Sequence, residues 1–150
     1  MSHSGLPDRS TASALRGWHL AAIGAFLAVL LQLWGLYRTL GPPQPTWFGF
    51  ADKLQHVVGF ALPVLLILLT IALRGRFGWQ RPGRGTSILI AAIFAAHAIA
   101  SEVIQHVWLR HRTGELLDVV ADWLGIVIGI VVFWLIYLRR SGAVESLVRS

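Results

Sequence analysis

The sequence predicts an all-α membrane protein: a bundle of four transmembrane helices with both termini in the cytoplasm. Three observations carry that expectation. The 150 residues are 55% apolar and only 13% charged, with a mean hydropathy of +0.65, whereas a soluble domain is about 25% charged. The apolar residues come in blocks of about twenty, the length a bilayer crossing requires. The basic residues lie in the short connectors between those blocks, where membrane proteins carry them.

The first block runs from about Trp18 to Tyr37 and ends before Gly41-Pro42-Pro43-Gln44-Pro45, which breaks the chain. The second runs from about Leu54 to Leu73, and an Arg- and Gly-rich connector from Arg74 to Gly85 follows. The third spans about Thr86 to Leu109 and the fourth about Leu117 to Leu138. At about 1.5 Å per residue, each covers a hydrocarbon core about 30 Å thick. Backbone groups in lipid must satisfy one another, so each block is expected to be a helix. The first block is read as a span and not as a secretory signal, because it is long and no small-residue cleavage site follows it. The tails, Met1 to Ser13 and Ser141 to Ser150, are expected to be mobile. The length bounds one domain, so residues 1–150 are read as a single membrane domain.

Composition also excludes functions. There are no cysteines, hence no disulfide, thiolate metal site or Cys nucleophile. No Walker loop, dinucleotide fingerprint or zincin helix occurs. A net charge of +6 would suggest nucleic acid on a soluble domain. Here the basic groups flank apolar blocks, so the expected partner is the bilayer and not nucleic acid. Four crossings put Arg9, Arg16, Arg74, Arg76, Arg81, Arg84, Arg139, Arg140 and Arg149 on one side and Arg38, Lys53, Arg110 and Arg112 on the other. That bias points the termini inward. Trp34, Tyr37, Trp47 and Trp108 then fall near the outer interface, and Trp18, Trp79, Trp134 and Tyr137 near the inner one.

The polar residues gather at the outer ends. Asp52, Lys53 and His56 open the second span, Glu102, Gln105 and His106 close the third, Arg112 lies in the third connector, and Asp118 and Asp122 open the fourth. Residues three and four apart share a helix face. Asp52, His56, Gly59 and Pro63 form one such stripe, Ala91, Ala95, Ala98, Glu102 and Gln105 a second, and Asp118, Asp122, Gly125 and Gly129 a third. Gly24, Ala28 and Gly35 form a comparable stripe on the first span. Small residues let membrane helices approach closely, so Gly59, Gly125 and Gly129 are read as packing positions. Stripes turned toward one another would pack tightly on one side and enclose a polar pocket on the other. Asp52 and Lys53 also suit a helix cap and a snorkelling lysine. Glu102 and Asp122 resist that simpler reading, since a carboxylate a turn or two inside the boundary costs about 2.5–3.5 kcal/mol.

Asp52-Lys53-Leu54-Gln55-His56, Glu102-Val103-Ile104-Gln105, and Arg112 followed by Asp118, Asp122, Gly125 and Gly129 resemble the pattern of the VanZ-like family. The resemblance covers about residues 50–138 and leaves the first helix, about 18–37, as an addition. Asp122 stands where the family pattern usually has Asn. The family is named for an accessory protein of glycopeptide (teicoplanin) resistance, so the resemblance implies cell-envelope biology, a multi-pass protein of the cell membrane and a link to antibiotic resistance, without supplying a reaction.

Three functions are compatible with these residues. In the first, the pocket binds the polar head of a cell-envelope lipid or lipid-linked precursor. Lys53 and Arg112 meet phosphate, Arg in bidentate fashion, and Glu102, Gln105 and Asp118 bond sugar hydroxyls. Carboxylates outnumber these cations, so a bare phosphate is repelled unless protons offset the surplus. In the second, the protein is an enzyme on such a lipid, with His56 a general base oriented by Asp52 and Glu102 a general acid. No cofactor is expected; a variant places a divalent cation among His56, Glu102, Asp118 and Asp122, since hard cations favour oxygen ligands. In the third, the cluster is only a structural hydrogen-bond network.

Overall fold

The computed structural model describes residues 9–38, 48–74, 79–108 and 115–148. It contains four helices: α1 (Arg9–Tyr37), α2 (Phe48–Leu73), α3 (Arg84–Trp108) and α4 (Leu116–Val148). All four are long and apolar enough to cross a membrane, so the protein is a multi-pass membrane protein. The spans fall where hydropathy places them, while the helices run further. α2 starts ahead of the apolar block, since Phe48 to Lys53 are also helical. The expected mobile tails are corrected in part, since α1 already covers residues 9–13 and α4 continues to Val148.

The helices alternate in direction. Gly35 lies against Gln55 and Gly24 against Leu66, which makes α1 and α2 antiparallel. Glu102 meets Glu115 and Ala95 meets Trp123, which makes α3 and α4 antiparallel. Gly125 faces Val57 and Gly129 faces Ala61, the same offset twice, so α2 and α4 run parallel. α2 is the central helix, packed on α1, α3 and α4, with its widest contact on α4. Phe60, Val64, Leu68 and Ala72 are its wholly buried stripe, closed by Phe94 and Ala98 of α3 and by Ile126 and Phe133 of α4. Residues such as Leu27, Ile93, Val127 and Leu135 point outward, as lipid-facing side chains do in a bundle without water around its waist.

Two glycines set the closest approach. A Cβ on Gly129 would fall 2.5 Å from the Ala61 carbonyl oxygen and 3.2 Å from Val64 Cβ. One on Gly125 would collide with the Val57 carbonyl oxygen and lie 3.1 Å from Phe60 Cβ. Backbone against backbone admits no side chain, which is the small-xxx-small contact of membrane helices. Gly59 is different and corrects its expected role: a Cβ there meets nothing nearer than Gln32 Cγ at 4.0 Å. It opens space instead of closing it.

At the end where α1 begins and α4 ends, aromatic and basic side chains form a belt. Trp79 stacks on Tyr137 with ring centroids 5.8 Å apart, and the guanidinium of Arg140 lies 5.2 Å from the centre of Trp79. Arg81 covers Trp134 at 4.9 Å, and Arg74 lies near Trp18 at 5.6 Å. At the opposite end Arg38 covers Trp34 at 4.8 Å. Such rings sit where membrane and water meet. Trp47 lies outside the described residues.

Gly125→Leu and Gly129→Leu are expected to lower folded yield and melting temperature in detergent sharply, since overpacking costs about 1–3 kcal/mol even where some relaxation is possible. Gly85→Leu, at a position open on all sides, is the control and should melt as the unaltered protein does. A Gly129→Leu protein with an unchanged melting profile would contradict the α2–α4 contact.

Candidate functional site

The α2–α4 register decides which polar groups meet. His56 precedes Val57 and Asp122 lies one turn before Gly125, so the glycine contact brings imidazole and carboxylate together. His56 Nδ1 is 2.8 Å from Asp122 Oδ1, both groups buried. His56 Nε2 looks toward Asp118 Oδ2 at 3.9 Å. The partner that fixes the ring is therefore Asp122 across the helix gap, and not Asp52 on the same helix as the sequence suggested. Tertiary register outweighs the one-turn spacing.

Lys53, on the same face one turn earlier, gathers three acids. Its Nζ donates to Glu115 Oε2 at 2.8 Å and to Asp118 Oδ1, and lies 3.6 Å from Asp52 Oδ2. The lysine side chain is 29% exposed, so it reaches these groups at the rim of the bundle. It is consequently engaged within the protein and not free for a phosphate.

Glu102 enters from α3. Its Oε2 accepts the backbone N–H of Glu115 at 2.9 Å, and its Oε1 is buried without a partner. Gln105, 2% exposed, lies on the same α3 face one turn on, its Nε2 also unpaired. Asp122, 0% exposed, keeps Oδ2 unpaired beside the imidazole. Ser101 turns its hydroxyl back to the Ala98 carbonyl at 2.8 Å and takes no part. His97 sits deeper, 3.3 Å from the Tyr37 hydroxyl and beside Phe60, and works as an interhelical link.

Of the nine polar residues placed at the outer ends by the sequence, seven fall in this cluster, while His106 is exposed. Asp52, Lys53 and His56 come from α2, Glu102 and Gln105 from α3, and Asp118 and Asp122 from α4. Arg112 lies outside the described residues. Two residues were missed. Glu115 stands three positions before Asp118 at the mouth of the last apolar block, a spacing that would have revealed it. Gln32 is buried on α1 between Ala28 and Gly35, on the small-residue stripe already recognised. With Glu115 counted, five of the chain's seven acidic residues belong to the cluster.

That surplus of acceptors defines what the site can do. Among the described residues of the cluster the cations are Lys53 and, when protonated, His56. Donor-rich groups such as hydroxyls, ammonium or a cation complement it. Two sets could hold a metal ion by their spacing alone, Asp52 with His56 and Asp118, and His56 with Glu102 and Asp122; within each, one ligand atom per residue lies within 4.8 Å of the others. A ring nitrogen oriented by a carboxylate, as His56 is by Asp122, is also how metal-ligating histidines are commonly held. No protein-family model matches the chain, and no curated protein or solved structure shows significant similarity to it.

Lys53→Met is expected to destabilise the bundle, because it leaves Asp118 buried among other acids without its cation. Removing one partner of a buried hydrogen-bonded pair costs about 1–3 kcal/mol, and more for charged groups. The double substitution Lys53→Met with Asp118→Asn should recover much of the lost melting temperature. Equal losses in the single and double variants would break the link between these groups.

Proposed function

We propose that the protein is a VanZ-like protein of the cell membrane whose polar site faces outward and binds the head group of a cell-envelope lipid or lipid-linked precursor. The observation that carries this reading is the set of unpaired buried atoms: Glu102 Oε1, Gln105 Nε2 and Asp122 Oδ2, from two helices at one end of the bundle. A network kept only for structure would have its members satisfied, because an unpaired buried polar group is costly. A ligand that completes these bonds removes the cost.

The chemistry of the site narrows the ligand. Acceptors dominate and Lys53 is already held by three acids. Sugar hydroxyls or an amino group therefore suit Glu102, Asp118 and Asp122 better than bare phosphate does. Arg112, in the connector that joins α3 to α4, is the group assigned to phosphate, with the planar fork that such contacts favour. The basic bias of the connectors supports cytoplasmic termini and an outward-facing site. The likeness of the motif residues to the VanZ-like pattern supports the envelope assignment, and with it a glycopeptide-resistance phenotype.

The pairing of His56 with Asp122 favours a second reading, an enzyme acting on the same lipid. His56 is then the base, oriented by Asp122, and Glu102 is the acid. The metal-assisted form of that reading uses the His56, Glu102 and Asp122 set.

Glu102→Gln and Arg112→Lys should melt like the unaltered protein yet lose retention of polyprenyl-phosphate lipids in native mass spectrometry of the purified protein. Full retention in both would remove these residues from a binding site, and parallel losses of stability and retention would favour a structural network. Single cysteines at positions 43 and 111 should react with an impermeant reagent in intact cells, and those at 78 and 150 should not. The reverse pattern would turn the site to the cytoplasm.

A further inference from the structure

A hollow lies beside the polar cluster. It is a cavity of about 210 Å³ between α1 and α2, lined by Ala28, Gln32 and Gly35 on one wall and by His56, Gly59 and Pro63 on the other. Leu31, Val58 and Leu62 form its rim and are exposed, so it opens sideways toward the surrounding lipid and not toward water. The small residues make the space: nothing lies closer than Gln32 Cγ to a Cβ on Gly59, in contrast to the filled contacts at Gly125 and Gly129.

The hollow is not wholly apolar. Gln32 is 6% exposed, and its Nε2 is buried without an acceptor. Pro63 has no N–H to offer the Gly59 carbonyl one turn earlier. His56 stands on the shared wall: it lines the crevice, and its Nδ1 meets Asp122 in the polar cluster. The crevice therefore continues the polar site downward, and from Gln55 to Pro63 it follows α2 for about 12 Å.

We propose that this crevice holds one hydrocarbon chain of a membrane lipid, with Gln32 donating to the ester or phosphoester oxygen where chain and head group join. The link to the polar site rests on the head-group reading given above. Residence in the crevice does not depend on it. The occupant follows from the setting. A sideways opening at membrane depth meets only hydrocarbon, and an orphaned amide there calls for an acceptor that hydrocarbon alone lacks.

The test uses the full chain in phosphatidylglycerol vesicles doped with a phospholipid carrying a diazirine midway along one acyl chain. After irradiation, labelled residues are mapped by mass spectrometry. Label should concentrate severalfold on Leu31, Val58 and Leu62 over the equally exposed Ile93 and Val127. Gly59→Leu, which fills the hollow, should abolish that concentration; Ala28→Leu does the same from the opposite wall should the first variant fold poorly. Gln32→Leu should raise the melting temperature, because it removes an unpaired buried donor, while lowering the concentration of label. Even labelling around the bundle, or unchanged labelling in the filled variants, would overturn the proposal. Label concentrated in the crevice and insensitive to Glu102→Gln would uphold the crevice and overturn the head-group reading. Loss of label in that variant as well would support both.

Discussion

The rest of the structure depends on one contact, the backbone of α4 against the carbonyls of α2 at Val57 and Ala61. It exists only because Gly125 and Gly129 have no side chain. In a bilayer no hydrophobic driving force separates one apolar helix face from another, so close packing must supply the specificity. This contact also sets the register of α4 on α2. A slip of one residue would carry Asp118 and Asp122 off the face that Lys53 and His56 present, and the cluster would lose its cations. The packing glycines and the ionisable residues are therefore two parts of one device.

The cluster itself is unbalanced. Five acids share one lysine and one histidine among the described residues, and two of their oxygens, Glu102 Oε1 and Asp122 Oδ2, are buried without partners. Membrane proteins rarely keep ionisable groups at depth without a use for them. Asp122 sharpens the imbalance, since it adds a second carboxylate to Asp118 at the buried imidazole of His56. The extra carboxylate fixes the imidazole by a short contact and leaves its second oxygen available.

The four spans and the inward stripes were legible in the sequence because lipid imposes simple rules: about twenty apolar residues per crossing, and small or polar residues on the face that avoids lipid. Asp122, Gly125 and Gly129 are all buried on the face their spacing predicts. Pairing was not legible. The Asp52 and His56 spacing suggested a partner on the same helix, while the partner is Asp122, chosen by a register that no single-helix pattern encodes. Gly59 misled for a related reason: a glycine on a stripe reads the same whether a neighbour fills its place or a hollow does. Gln32 was visible at its i+4 spacing from Ala28 but went unweighed because a mid-span amide carries no charge.

The bond from the Glu115 N–H to Glu102 has a further consequence. Glu102 lies near the C-terminal end of α3, where that helix's own dipole disfavours an anion. It finds instead the positive end of α4, whose first turn begins at Leu116. Glu102 thus caps α4 from another helix. Anything that draws this carboxylate away uncaps the turn that carries Asp118. The contacts that Glu102 makes and the order of the first turn of α4 are thus tied to each other.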